Sequence, residues 1–248
     1  CGTLFPYTTL FRSGMKGAGL EAAGLDFVVA QTGTRMKLYY ENARRRFELI
    51  QDGFKPEQVH ILERIAAQYR SLRHTLWFTQ HYSDHITAAD AAALRRFGAG
   101  KVNFGPEMTM PELQQLLEWD KKERDALQKS GKAAQAAGFR AALLDHLDRR
   151  PDFWHKFMPA DPEVSGPGGN PSIFDLSPEV QDALLVFRGR YVKSRPRCRA
   201  AAQKLLENTA ALGIDSDPEA AIVEAIRSRI IHPRLEQFHM AGLRYRLS

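Results

Sequence analysis

Asp26-Phe-Val-Val-Ala30 is a short apolar run that ends in polar and glycine residues, and the predicted fold depends on it. Two similar runs follow it, Thr75-Leu-Trp-Phe78 and Lys101-Val-Asn-Phe104. All three are rich in β-branched and aromatic residues, which is typical of parallel strands buried on both faces. Between them lie segments that favour helices, at about 38–52, 56–71 and 88–97. This alternation predicts βαβ units around a parallel sheet.

From about residue 110 the chain favours helices only, predicted at about 111–129, 133–149, 178–192, 196–212 and 218–231. Two helix starts carry a hydroxyl at the N-cap and an acid three residues later, Thr87 with Asp90 and Thr109 with Glu112. Gly213 marks a helix end. The stretch 159–171 is rich in glycine and proline and predicts a surface loop.

The beginning of the chain has a different character from the rest. Residues 3–13 read Thr-Leu-Phe-Pro-Tyr-Thr-Thr-Leu-Phe-Arg-Ser, which is the codon-for-codon translation of a common short-read sequencing adapter. A secretory signal would need a basic start and a continuous apolar core, and this stretch has neither. We therefore expect residues 1–13 to be an adapter-derived leader that plays no part in the fold. We also expect the true N-terminus of the gene to be missing.

The missing start bears on the predicted fold class. Three parallel strands cannot close a sheet, whereas a TIM (β/α)₈ barrel takes eight strands over roughly 250 residues. We predict an α/β protein: the C-terminal portion of a TIM (β/α)₈ barrel, followed by a helical extension. The predicted organisation is the leader at 1–13, a partial barrel of about three βα units at 14–130, and the extension at 131–248.

Composition limits the function classes. The formal net charge is +6, or +5 once Arg12 of the leader is set aside. Basic and acidic residues are interspersed and no nucleic-acid-binding module accompanies them, so we expect no nucleic-acid partner. No apolar run is long enough to cross a bilayer, so no membrane partner is expected. Cys198 is the only cysteine beyond the leader, which suits a reducing cytoplasm.

Function in parallel α/β folds gathers beyond the carboxyl ends of the strands. The second strand runs into Gln80-His81-Tyr82-Ser83-Asp84-His85. His81 and Asp84 are our candidate catalytic residues, and His81 is also a candidate metal ligand, because nitrogen and oxygen ligands of this kind suit a divalent metal such as zinc. The sequence does not identify the cofactor. In the alternative interpretation, His81 and Asp84 form local hydrogen bonds and cap the next helix.

The third strand leads through Gly105-Pro106 towards a helix start at Thr109. Free amides and the positive end of a helix dipole would make this turn a phosphate site. An ordinary strand-to-helix turn is the alternative interpretation. The candidate substrate-binding residues from the three strand ends are Gln31, Gly33, Ser83, Gly105, Pro106 and Thr109.

These strand ends, taken in order, carry a family resemblance. The stretches 28–35, 79–85 and 102–109 resemble three motifs of the class II D-tagatose-1,6-bisphosphate aldolase non-catalytic (accessory) subunit family, namely V-V-Q-P-G-V-E-F, E-G-H-S-T-D-Y-Q and L-K-V-G-P-A-L-T. The resemblance covers the C-terminal half of that family, and its helical tail resembles residues 133–248. Two family glutamates fall here at Arg35 and Thr79, and the glycine before histidine falls at Gln80. The matched positions are Gln31, His81, Asp84 and the Gly105-Pro106 turn.

The resemblance implies a class II aldolase-like TIM barrel with a helical C-terminal extension, and an accessory (non-catalytic) subunit with little chemistry of its own. Its partner would be a catalytic aldolase subunit that cleaves tagatose 1,6-bisphosphate, and a sugar phosphate would be a ligand. Some related barrels are implicated in metal-assisted epimerisation of ketoses or ketose phosphates, which is the second hypothesis. The third is a helical interaction protein that has no sugar ligand. An epimerase would need further histidine or carboxylate ligands, because one loop cannot close a metal shell.

Overall fold

The computed structural model describes residues 27–30, 36–41, 46–51, 77–80, 83, 84, 86–96, 99–155 and 172–238, together with residues 60, 63, 64 and 67. The strands are β1 (Phe27–Ala30), β2 (Met36–Glu41), β3 (Arg46–Gln51), β4 (Trp77–Gln80) and β5 (Ala99–Val102). The helices are α1 (Ala88–Arg96), α2 (Pro106–Lys129), α3 (Phe139–Asp148), α4 (Pro178–Arg188), α5 (Pro196–Ala211), α6 (Pro218–Ile226) and α7 (His232–Gln237). A π-helical turn, Arg227–Ile231, joins α6 to α7.

The three predicted parallel strands are present. They form one sheet in the order β1-β4-β5, with Phe27 opposite Trp77 and Gln80 opposite Val102. Strand β4 begins two residues later than predicted and β5 two residues earlier. The prediction that these segments are neighbouring and parallel is confirmed.

The predicted TIM barrel is wrong. In the described residues the parallel sheet has three strands, and the remainder is mostly helical. The predicted helix at 38–52 is also wrong, because β2 and β3 form an antiparallel pair there, with Met36 opposite Gln51. A barrel needs a crossover helix after each strand, whereas an antiparallel pair intervenes between β1 and β4. Its sequence is rich in aromatic and aliphatic residues that favour strands.

Helix α2 is the centre of the helical part. Its Leu113, Leu116 and Trp119 are buried and belong to one apolar cluster that also takes in side chains of α3, α4 and α5, among them Leu143, Leu184 and Leu205. Burial of this kind contributes roughly 1.5–3 kcal/mol for each large apolar side chain. Since α2 lies within the stretch predicted as barrel yet packs on the predicted extension, the two parts share a core. The boundary at residue 130 stays a prediction.

Two buried acids fix the connection from α2 to α3. Glu123 accepts hydrogen bonds from the Ala137 amide at 3.0 and 3.2 Å and from the side chain of Asn208. Asp120 accepts one from the Arg140 amide at 3.1 Å. Both carboxylates are almost fully buried, so these hydrogen bonds compensate for their lost hydration.

The ends of the helices follow local sequence in part. The Thr87 amide donates to the Asp90 carboxylate at 3.2 Å, and the Asp90 amide donates to the Thr87 hydroxyl at 3.1 Å, which confirms that predicted capping box. Gly213 has a φ of 66° just after α5, and the Ile214 amide donates to the Thr209 carbonyl at 3.0 Å. The predicted helix end at Gly213 is therefore confirmed.

Several predictions fall outside the described residues. The leader at 1–13, the catalytic and metal-ligand candidate His81, the substrate candidates Gln31 and Gly33, and the loop at 159–171 are among them. In the predicted helix at 56–71, residues 60, 63, 64 and 67 are helical. Among the helices the structure describes, none is both long and apolar enough to cross a bilayer.

Candidate functional site

The loop after β4 is held against the sheet by backbone hydrogen bonds. The Asn103 amide donates to the Gln80 carbonyl at 2.9 Å, and the Ser83 amide donates to the Asn103 carbonyl at 3.1 Å. The hydroxyl of Ser83 also lies 3.4 Å from the Gln80 carbonyl. Ser83 is fully buried, so its hydroxyl contacts the protein's own backbone.

Asp84 caps helix α2. Its Oδ1 accepts hydrogen bonds from the amides of Gly105 and Glu107, both at 2.8 Å, and the residue is only 1% exposed. The first amides of a helix have no partner within the helix, and its dipole favours negative charge there. A buried carboxylate at this position therefore neutralises the N-terminus of α2.

This cap also moves the start of α2. The predicted capping box of Thr109 and Glu112 is wrong, because α2 begins at Pro106 with Gly105 at the N-cap. The Thr109 hydroxyl instead donates to the Pro106 carbonyl at 3.0 Å within the first turn. Asp84, far away in sequence, supplies the acceptor that Thr109 was expected to supply, and Pro106 suits the first helical position because it has no amide hydrogen.

Arg190 lies over the turn that precedes α2. A Cβ at Gly105 would stand 3.0 Å from Nη1 of Arg190, so any larger residue there would push the guanidinium away by a few tenths of an ångström. Nη2 donates to the Tyr191 hydroxyl at 2.5 Å, and the guanidinium lies 4.5 Å from the centre of the Tyr191 ring. Nε is buried and has no hydrogen-bond partner among the described residues.

Helix α7 closes the other side of the site. Arg234 forms a bidentate ion pair with the buried Glu107, with Nε–Oε2 at 3.0 Å and Nη2–Oε1 at 2.5 Å. Its Nη1 donates to the Ile86 carbonyl at 2.9 Å. An open cleft of about 590 Å³ lies beside this pair, lined mainly by charged and polar side chains of α7 and the π-helical turn.

The structure thus brings together some of the predicted site residues. Ser83, Asp84, Gly105 and Pro106 lie around one helix N-terminus, and Thr109 follows one turn later. In the part of the chain that is described, no group of three histidine, cysteine or acidic residues could hold a metal ion. Arg190 and Arg234 were missed, since they are 85 and 129 residues beyond Gly105 and match no local motif.

The arrangement favours binding of an anion beside α2. The guanidinium of Arg190 offers donors next to a glycine turn, and its buried Nε has no hydrogen-bond partner among the described residues. The carboxylate of Asp84 already occupies two of the amides. Any phosphate would therefore contact the Arg190 side of the turn.

Comparisons with known proteins give a fold relationship. The chain is similar in fold to the crystal structure of a probable tagatose 6 phosphate kinase from Sinorhizobium meliloti 1021, with a TM-score of 0.57 and 16% sequence identity. The match covers 94% of this chain and 57% of that chain, so the present chain spans little more than half the length of that protein. At this identity the likeness concerns the fold alone. No protein-family model matches, and no curated protein matches the sequence.

Proposed function

We propose that this chain is part of an accessory, non-catalytic subunit that supports a tagatose-bisphosphate aldolase and binds a ketose phosphate. The observation that carries the proposal is that Asp84 caps the N-terminus of α2. Its Oδ1 is committed to two backbone amides and the residue is buried. Because the candidate catalytic acid Asp84 serves as a helix cap, a supporting role for the chain is favoured over a catalytic one.

Two further observations support the sugar-phosphate part of the proposal. The protein of similar fold is a probable tagatose 6 phosphate kinase, a name that refers to a phosphorylated ketose. The guanidinium of Arg190 stands over the Gly105 turn that precedes α2, and a planar guanidinium suits phosphate recognition. Metal-dependent epimerisation is less favoured, because Asp84 is buried and its Oδ1 already accepts hydrogen bonds from two amides of the α2 N-terminus.

The supporting role is tested with the catalytic aldolase subunit of the same organism. We would measure the release of triose phosphate from tagatose 1,6-bisphosphate by that subunit with and without this chain. The chain should raise the rate or lengthen the half-life of the catalytic subunit and show no turnover alone. Asp84→Asn should keep this effect, because the amide oxygen of asparagine can still cap α2. A chain without effect on the catalytic subunit, or one that turns over sugar by itself, contradicts the proposal.

The ligand is tested separately by calorimetric titration with tagatose 1,6-bisphosphate, with unphosphorylated tagatose as the comparison. Arg190→Gln should weaken binding of the bisphosphate roughly 10- to 100-fold, which corresponds to the loss of about 1.4–2.7 kcal/mol from charge-assisted hydrogen bonds. Arg195→Gln is the matched control, since Arg195 is an exposed arginine at the start of α5. Equal losses in both variants would mean that general charge, and not the Gly105 turn, attracts the ligand.

A further inference from the structure

Helix α7 is attached to the loop after β4 by an unusual concentration of polar contacts. The Ile86 carbonyl accepts hydrogen bonds from Nη1 of Arg234 at 2.9 Å and from Nε2 of Gln237 at 2.7 Å. Arg234 also hydrogen-bonds to the side-chain oxygen of Gln237. Two side chains one turn apart on α7 therefore hold one backbone carbonyl of the loop.

A second connection runs through Glu107. Its carboxylate receives two hydrogen bonds from Arg234, and its backbone amide donates to Oδ1 of Asp84. The loop is consequently fixed at both ends: Asp84 to the N-terminus of α2, and Ile86 to α7. Arg234 contacts the second anchor directly and reaches the first through Glu107.

Ring contacts extend the attachment. The rings of Phe104 and Phe238 meet edge to face with centroids 5.9 Å apart, and the guanidinium of Arg234 lies 5.5 Å from the centre of the Phe104 ring. Phe238 also packs against the small apolar cluster that contains Ile86 and Leu94. The end of α7 therefore covers the loop, the residues after β5 and one side of α1.

The attachment depends more on polar contacts than on apolar burial. The side chains of Leu235 and Glu236 are exposed, and the open cleft of about 590 Å³ borders α7. Elements with few buried apolar contacts open at a lower free energy than the core. The π-helical turn before α7 lets the helix change its facing direction without a break, and such turns recur at functional sites.

We propose that α7 is a strap and that Arg234 is its positioning residue: docking of α7 sets the positions of Ser83, Asp84, Ile86 and Thr87 in the loop after β4 and the geometry of the turn before α2. The loop and the strap then open and close as one unit, separately from the helical core. This inference rests on the proposed function only in treating the loop as part of a ligand site. A segment near the C-terminal end would in this way control a site formed far upstream in sequence.

The experiment is hydrogen–deuterium exchange of the chain without sugar or partner, read by mass spectrometry. The reporting amides are Ser83, Gly105 and Glu107, each of which donates a hydrogen bond within the site. Arg234→Gln should speed exchange in peptides covering 83–87 and 105–109 by at least roughly tenfold. Peptides from α3 and α5 should keep the exchange rates of the unaltered chain, because the core cluster is untouched.

Two matched variants separate positioning from a general loss of stability. Arg234→Lys should rescue part of the protection, since lysine retains the charge opposite Glu107 but cannot form the bidentate pair. Arg227→Gln removes an arginine from the preceding turn whose ion pair with Glu224 is exposed, and it should leave the loop unchanged. Unchanged exchange in the loop of Arg234→Gln overturns the proposal, as does equally faster exchange in α3 and α5.

The outcome is independent of the proposed function. If the exchange pattern appears but the chain does not support the aldolase, the strap stands and the proposed function fails. If the chain supports the aldolase but Arg234→Gln does not loosen the loop, the strap is overturned alone. If both hold, Arg234→Gln should also reduce the supporting effect on the aldolase, whereas Arg227→Gln should not.

Discussion

The cap of α2 by Asp84 leads to a quantitative prediction. In Asp84→Ala, the amides of Gly105 and Glu107 both lose an ionised acceptor at 2.8 Å. Each hydrogen bond to a charged group contributes about 1.5–3 kcal/mol, and the favourable interaction with the helix dipole adds about 0.3–1 kcal/mol. The Gly105 amide can recover part of this from water, since Gly105 is half-buried, whereas Glu107 is buried. We expect the free energy of unfolding to fall by about 3–5 kcal/mol.

The conservative variant isolates the contribution of charge. Asp84→Asn keeps an acceptor oxygen of the same shape and should lower the free energy of unfolding by about 1–2 kcal/mol. Asp90→Ala removes half of the exposed capping box of α1 and should cost about 0.5–1 kcal/mol, which makes it the control for a solvent-accessible cap.

Urea unfolding followed by far-UV circular dichroism measures all three variants. For Asp84→Ala the midpoint of thermal unfolding should fall by roughly 10 °C, at about 2–4 °C for each kcal/mol in a chain of this size. A loss below about 1 kcal/mol in Asp84→Ala would refute the cap. So would a larger loss in Asp84→Asn than in Asp84→Ala, because an isosteric acceptor must retain part of the bonding.

Two further predictions concern Cys198 in the helical core and Gly213 at the end of α5. Burial raises the pKa of the Cys198 thiol to about 11, so the native protein should resist a thiol reagent at pH 8 and react only on unfolding. The free energy of unfolding should also decline as pH rises from about 9 through 11, because the unfolded chain releases the thiol proton first. A native thiol that reacts at the rate of a free cysteine would contradict this. Gly213 has a φ of 66°, and a Cβ added there would meet no other atom within 4 Å. Gly213→Ala should therefore lower the free energy of unfolding by about 1 kcal/mol through backbone strain alone. If a urea titration shows unchanged or higher stability, the helix end does not need the left-handed conformation.

Local sequence determined the features that depend on neighbouring residues. The capping box of Thr87 and Asp90 and the helix end at Gly213 were predictable, because the partners of each hydrogen bond lie within a few residues of one another. The apolar runs that form β1, β4 and β5 were also recognisable, because each is a continuous stretch of a few residues. Their alternation with helices predicted parallel pairing. The helices predicted at about 178–192 and 196–212 are present as α4, which a 3-10 turn extends to Tyr191, and as α5.

Where a local pattern is compatible with two structures, contacts with distant parts of the chain select between them. The segment 36–51 carries enough apolar residues for a helix, and the structure instead pairs its two halves as antiparallel strands. The partial barrel rested on the number of strands and the supposed missing start, neither of which fixes how a sheet closes. The same limit applies to Thr109, whose spacing to Glu112 fits a capping box although the N-cap is Gly105, four residues earlier.

Sequence alone therefore located Ser83, Asp84 and the Gly105-Pro106 turn along the chain and predicted that strand ends bring them together. The role of each residue depends on the three-dimensional packing: Asp84 caps α2, Arg190 lies over Gly105, and Arg234 holds Glu107 and Ile86. The physical reason is that a buried charge takes the partner that removes most of its desolvation cost, wherever in the chain that partner lies. Periodicity and motif spacing detect interactions between residues only a few positions apart, whereas these partners are between 21 and 148 residues apart.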